Sequence, residues 1–149
     1  MALRPTGPLG AWIMGLLGTA PFILGALVYC WGPDIAEGVA SRGLLLYSAV
    51  MIAFMGGSRW GLEIGRAPPR WVVLAPAIAM PLFALILTMS LVELDLKWRL
   101  AGFLGGFLAL WLWDVISTEV PGWHLRLRTT VTVVACVCLG LALEHALSL

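Results

Sequence analysis

The sequence predicts an all-α fold, an integral membrane bundle of five transmembrane helices, and three observations support this prediction. First, 61% of the 149 residues are hydrophobic and only 11% are charged, against about 25% charged residues in soluble domains. Second, five apolar stretches approach the roughly 20 residues that a helix needs to cross a bilayer core. Third, the alternating apolar and polar pattern of a membrane β-barrel strand is missing from the sequence. This composition argues strongly against a water-soluble enzyme.

The five spans are expected to form a single domain over residues 1–149, because the segments between them are too short to fold alone. The first span is longer than the apolar core of a signal peptide, so we expect a retained helix with a kink at Pro21. Turn-forming or charged joints separate the later spans, and proline at a joint ends a helix since it lacks an N–H group. The predicted spans are residues 10–31, 43–64, 71–92, 100–120 and 129–147.

The fourth span has two interpretations because Asp114 and Glu119 lie near its end. Either the helix crosses the membrane over residues 100–120, or its membrane part ends near Trp113 and residues 114–128 lie at the interface. The sequence alone leaves both open.

The distribution of basic residues predicts the orientation. Five spans place the termini on opposite sides, and Lys and Arg accumulate on the cytoplasmic side of membrane proteins. The N-terminal side receives Arg4, Arg59, Arg66, Arg70, Arg126 and Arg128, against Arg42, Lys97 and Arg99 on the other side. We therefore expect a bacterial inner-membrane protein with a cytoplasmic N-terminus and a periplasmic C-terminus.

Arg59 and Asp114 are expected to form a buried polar clasp. Both helices run in the same direction, and a rise of 1.5 Å per residue places the two side chains at similar depth. A charge inside the membrane is costly, and an opposite charge relieves much of that cost. Glu63, one turn after Arg59, is a second candidate partner. The alternative is that these groups line a site for a proton, an ion or a lipid headgroup.

Glycines four residues apart lie on one helix face and allow close packing of membrane helices. The second and fourth spans are expected to meet through such positions, which are Gly56, Gly57, Gly61, Gly102 and Gly106.

Aromatic and basic residues near the helix ends are candidate contacts to lipid or ligand. Tryptophan rings suit the headgroup layer, and basic residues before the last span suit anionic phospholipids. A ring that lies deeper in a helix is a candidate for ligand stacking. The candidate contacts are Trp60, Trp111, Trp113, Trp123, Arg126 and Arg128.

Reactive chemistry is not indicated by the sequence. Cys136 and Cys138 point to roughly opposite sides of their helix, and His124 and His145 lie near opposite sides of the membrane, so neither pair can bind one metal ion. Phosphate, dinucleotide and nucleophile motifs are missing. We therefore expect no catalytic residue, no metal and no cofactor. The net charge of +1 provides no basic surface for nucleic acid, so membrane lipids are the expected partners.

The chain resembles the family of small membrane proteins known as domain of unknown function 3429. The resemblance rests on the run from Tyr47 to Leu62, which ends in Gly56-Gly57-Ser58-Arg59-Trp60-Gly61-Leu62, and on Gly102-Phe103, Asp114 and the segment from Trp123 to Arg128. Where the family pattern has an arginine after the aspartate, this chain has Val115. The resemblance implies a bacterial inner-membrane location, with animal relatives in the mitochondrial transmembrane protein 69 group, and it implies no activity.

Three functions remain open at this stage. The first is a non-enzymatic structural or accessory protein that packs against, or helps to assemble, a larger inner-membrane complex such as a respiratory one. The second is a binding protein or carrier for a small amphipathic molecule (a lipid, sterol, quinone or tetrapyrrole), in a cavity formed at proline kinks and lined by Trp60, Trp111 and Trp113. The third is a proton or ion transporter that uses Arg59, Glu63 and Asp114.

Overall fold

The fold is a bundle of six helical segments, seen in a computed structural model that describes residues 8–89, 93–117 and 121–148. Over these ranges the regular structure is helical and contains no strand. The helices are α1 (Leu9–Leu17), α2 (Ala20–Trp31), α3 (Asp34–Ile64), α4 (Trp71–Thr88), α5 (Leu96–Ile116) and α6 (Gly122–Ser148).

The five predicted spans are confirmed, with α1 and α2 together forming the first of them. Five segments of the described chain are long and apolar enough to cross a membrane, with mean hydropathy between 1.4 and 2.2. The protein is therefore a multi-pass membrane protein with an all-α fold.

A break at Gly18 and Thr19 divides the first span. Pro21 has no N–H group to bond the carbonyl of Leu17, and its ring would clash with that carbonyl in a regular helix. The chain instead tightens: the amide and hydroxyl of Thr19 both donate to the carbonyl of Leu16, at 3.0 and 2.7 Å. The irregularity expected at Pro21 is thus one tighter turn between α1 and α2, in which Gly18 and Thr19 keep right-handed helical dihedral angles. In contrast, α4 continues through Pro76 and Pro81.

Three helices, α3, α5 and α6, begin at least four residues earlier than predicted, and α5 starts at Leu96 instead of residue 100. α3 starts directly after Pro33, so the segment interpreted as a polar joint forms its first turn, with Asp34 and Glu37 near the positive end of the helix dipole. α6 starts directly after Pro121, so Trp123 to Arg128 are helical. α5 ends at Ile116, while the predicted continuation over 118–120, like residues 90–92 of the third span, lies outside the described residues.

The core forms where α3 packs between α2, α4 and α5, with α6 closing the bundle against α5 and α2. The ring of Phe22 on α2 makes edge-to-face contacts with Tyr47 of α3 at 5.0 Å and with Phe107 of α5 at 5.6 Å. Ile52 and Phe103 are fully buried beside them. α1 has no fully buried residue, because only part of its surface contacts the bundle.

Three of the five predicted glycines, Gly56, Gly102 and Gly106, lie in close contacts between helices, and Gly57 and Gly61 do not. A Cβ atom on Gly56 would lie 2.9 Å from the carbonyl oxygen of Ala77, so this glycine allows α3 to approach α4 closely. Gly102 and Gly106 lie under side chains of α4, and Gly106 also contacts α3. Gly57 and Gly61 are exposed, with no atom within 4 Å of an added Cβ, and they do not pack within the bundle. The partner of α3 at its glycine is therefore α4, where α5 was expected.

Candidate functional site: a buried charge triad beside a lateral cavity

Asp114 lies in the last turn of α5 and joins two other helices. Its side chain is 1% exposed. One carboxylate oxygen accepts a hydrogen bond from Nε of Arg59 on α3 at 2.6 Å, and the other accepts from Nε of Arg128 on α6, also at 2.6 Å. We call Arg59, Asp114 and Arg128 the charge triad. The clasp expected between Arg59 and Asp114 is present as a contact, and it has a third member.

Every nitrogen of the Arg59 guanidinium donates within the protein. Besides the bond to Asp114, Nη1 donates to the hydroxyl of Ser117 at 2.9 Å and Nη2 donates to the carbonyl of Trp113 at 3.3 Å. The guanidinium carbon lies 5.2 Å from the centre of the Trp113 ring, a favourable cation–π distance. Trp113 therefore supports Arg59.

Arg128 is a buried member of the triad, which differs from the exposed position expected before the last span, while its candidacy as a ligand contact stays a prediction because it also lines a cavity described below. Its side chain is 8% exposed, and Nη2 donates to the carbonyl of Met55 on α3 at 3.2 Å. The exposed position was expected because the predicted fifth span begins at residue 129, which places Arg128 in a loop, whereas α6 begins at Gly122. Arg126, two residues earlier, is exposed, as a headgroup contact requires.

Glu63 does not take part in the triad, so its assignment to the clasp is wrong. Both of its oxygens bind the loop that follows α3: Nε and Nη2 of Arg70 donate to them at 2.9 and 2.8 Å, and the amide of Arg70 donates at 2.7 Å. The Nε atom of Arg66 lies 3.5 Å from Oε2 of Glu63. Glu63 therefore fastens the α3–α4 loop to the end of α3.

The triad carries a net positive charge, since two guanidinium groups share one carboxylate. Moving a charge out of water costs several kcal/mol per ion, and the attraction between opposite charges offsets this cost only where the pairs are well formed. All three guanidinium nitrogens of Arg59 have hydrogen-bond partners. In Arg128, the Nη1 atom has no hydrogen-bond partner among the described residues. Arg128 is thus the arginine of the triad with an unused donor.

A cavity of about 540 Å³ lies between α1, α3 and α6, directly beside Arg128. Its walls are mostly apolar, with Met14 on α1, Phe54 on α3 and Leu127 on α6 as examples. Along α3 it extends from Tyr47 to Ser58, which corresponds to about 16 Å at 1.5 Å per residue. At one end Tyr47 donates to the carbonyl of Gly18, where the first span is interrupted.

The opposite end of the cavity is polar. Trp123, His124 and Arg128 of α6 line it together with Ser58 of α3. The ring of His124 is edge-on to Trp123 at 5.8 Å, and its Nδ1 atom is buried without a hydrogen-bond partner. Neither the cavity nor the place of His124 in it was predicted from the sequence.

The expected tryptophan-lined cavity is not where it was predicted. Trp60, Trp111 and Trp113 do not line the cavity, and of the four candidate tryptophans only Trp123 does. The indole of Trp111 donates to the hydroxyl of Thr129 at 3.0 Å, which joins α5 to α6. Trp111 therefore joins two helices of the bundle.

Within the described ranges, no three His, Cys, Asp or Glu side chains are close enough to hold a metal ion. His124 and His145 lie near opposite ends of α6, and His145 packs edge-on against Tyr29 at 5.1 Å.

Comparison with known proteins gives one match. The model of the family described as protein of unknown function, DUF3429, matches residues 7–144, which include nearly all of the six helices. The chain belongs to the DUF3429 family. Neither a curated protein nor a solved structure matches the chain. All three triad residues and the cavity-lining residues lie inside the matched range of this DUF3429 member.

Proposed function

We propose that this protein is a membrane-embedded binding protein for a small amphipathic molecule, held in the cavity between α1, α3 and α6. The observation that carries this proposal is the cavity itself, with apolar walls, one polar end and a volume of about 540 Å³. Cavities that bind small molecules have about 300–1,000 Å³ and combine mostly apolar walls with a few well-placed polar groups.

The dimensions of the cavity support this function. Its length of about 16 Å along α3 is near half the thickness of a bilayer core of about 30 Å. Its polar end lies beside Arg128 and the start of α6, and its far end lies at the interruption after α1. A molecule with a polar head and an apolar body matches both ends.

The transport alternative receives less support from the geometry. Both oxygens of Asp114 are occupied by guanidinium groups, and Glu63 is bound by Arg70. An arriving cation would have to displace an arginine at either site. The accessory role in a larger membrane complex, respiratory or other, stays a prediction.

We also propose a bacterial inner-membrane location with a cytoplasmic N-terminus. The excess of basic residues on the cytoplasmic side is smaller than the sequence suggested, because Arg59 and Arg128 are buried and do not act as loop charges. The remaining basic residues are Arg4, Arg66, Arg70 and Arg126 on the proposed cytoplasmic side, against Arg42, Lys97 and Arg99 on the other. In this orientation the polar end of the cavity faces the cytoplasmic interface.

Filling the cavity tests the proposed function. Val50 lines it, and Val50→Trp places a large ring inside; Val133 of α6 is similarly exposed, does not line it, and provides the matched control Val133→Trp. The purified protein in mild detergent is examined by native mass spectrometry for retained lipid-like molecules. We expect a recurring adduct in the wild type and in Val133→Trp, and its loss in Val50→Trp. An adduct that persists unchanged in Val50→Trp would rule out binding in this cavity, and a recurring protein partner would favour the accessory role.

A further inference from the structure

The uncompensated charge of the triad lies at the wall of the cavity. Arg59 uses all three of its nitrogens within the protein and is not among the cavity-lining residues. Arg128 lines the cavity, and its Nη1 makes no hydrogen bond to any described residue. Since the two arginines share one carboxylate, an anion at Arg128 would neutralise the site. Charged donors form the stronger class of hydrogen bonds, which gives such an anion a specific anchor.

His124 provides a second group at the same end. It lies four residues before Arg128 on α6, so the two side chains share one face of the helix. Its Nδ1 is buried and unpartnered, which is costly unless a bound group satisfies it.

The rest of the cavity offers no competing anchor. The hydroxyl of Ser58 already donates to the carbonyl of Met55 at 2.8 Å, and that of Tyr47 donates to Gly18. The other walls are apolar side chains of α1, α3 and α6. The charged part of a ligand is therefore confined to one end, and its apolar part lies along the remaining length.

Resting on the proposed function, we infer that the cavity selects an amphiphile with an anionic oxygen head, a carboxylate or a phosphate on an apolar chain, held by Arg128 and His124. The sharing of Asp114 between two arginines and the unpartnered Nδ1 of His124 carry this inference.

The test compares two probes that have the same chain and different heads. Protein in nanodiscs of zwitterionic lipid is titrated with cis-parinaric acid and with its methyl ester, and binding is followed by energy transfer from tryptophan to the polyene. We expect the acid to bind at least about tenfold more tightly than the ester, because the ester lacks the charge that strengthens a hydrogen bond. His124→Phe and Arg128→Gln should each reduce this ratio by weakening the acid alone. His145→Phe, which changes the histidine outside the cavity, should leave the ratio unchanged.

The outcomes separate the inference from the proposed function. Equal affinity for acid and ester, with both lost in Val50→Trp, overturns the anionic head and leaves the amphipathic ligand in place. Affinities that do not change in Val50→Trp overturn both. If Arg128→Gln does not fold, His124→Phe decides alone, and a ratio that stays at the wild-type value contradicts the inference. Competition by lysophosphatidic acid but not by the neutral monoacylglycerol identifies phosphate as an accepted head, and no competition by the former restricts the head to a carboxylate.

Discussion

Asp114 holds three helices together, because its two oxygens accept from arginines on different neighbours. It lies on α5, Arg59 lies on α3 and Arg128 lies on α6. In a site of low dielectric constant each of these charge-assisted bonds is stronger than it would be in water, and the loss of one partner leaves a buried charge uncompensated. The carboxylate is therefore the residue on which the relative position of these helices depends most.

Removal of this carboxylate should be the most destabilising single change in the triad. Asp114→Ala leaves two guanidinium groups without an anion, so we expect a loss of about 3–5 kcal/mol. Arg59→Ala and Arg128→Ala should each cost less, since the remaining arginine still pairs with Asp114. The measurement is thermal and denaturant unfolding in mild detergent. The matched control is Asp34→Ala, which removes an exposed carboxylate.

A double-mutant cycle tests whether the contact itself matters. Arg59 and Asp114 touch, so the loss in Arg59→Ala/Asp114→Ala should be clearly smaller than the sum of the two single losses. Losses that simply add would contradict direct pairing.

The sequence reveals part of the triad. Equal depth in parallel helices is enough to pair Arg59 with Asp114, since both positions follow from helix rise. Arg128 was missed because its helix begins seven residues before the predicted start at 129. Glu63 was misassigned because its partner Arg70 lies in a loop, whose path no periodicity describes.

At the scale of the helices, glycine spacing identifies packing helices without identifying the packed face. Gly56 and Gly57 are adjacent, and one residue corresponds to about 100° around a helix. The first is therefore pressed against α4 and the second faces outward. The four-residue spacing points to Gly57 and Gly61, but the residue that contacts α4 is Gly56.

Alanine substitutions at Gly56 and Gly57 test which of the two glycines packs against α4. In Gly56→Ala the new Cβ would lie 2.9 Å from a backbone oxygen of Ala77, so α3 and α4 must move apart. We expect a loss of about 1–3 kcal/mol. Gly57→Ala meets no atom within 4 Å and should change stability by less than about 0.5 kcal/mol. Thermal unfolding of both variants in the same detergent is the measurement, and equal losses would contradict the packing assignment.

For the whole molecule, hydropathy is sufficient to predict the number of spans, because a bilayer imposes length and apolarity on each helix separately. The cavity was not predictable in the same way. It results from the side chains that three separate helices, α1, α3 and α6, contribute to one space. These are tertiary relations, and a single sequence does not specify them locally.

The proposed orientation follows from these spans and can be measured directly. In a variant without the native cysteines, Ala67→Cys in the α3–α4 loop and Asp34→Cys at the start of α3 are both exposed. In intact spheroplasts, a membrane-impermeant thiol reagent should label Asp34→Cys and leave Ala67→Cys unlabelled. In inverted vesicles the pattern should reverse. Labelling of Ala67→Cys in spheroplasts would reverse the proposed topology.

The bond between Arg59 and Asp114 also has a consequence for biosynthesis. The two residues are 55 positions apart, so at 5–20 residues per second the ribosome adds the aspartate about 3–11 s after the arginine. During that interval α3 enters the translocon with a cation whose counter-charge has not yet been made, and α6 arrives later still. An arginine near the end of a helix can wait at the headgroup layer, where its charge is hydrated. We therefore expect α3 to reach its final depth only after α5 and α6 have been inserted.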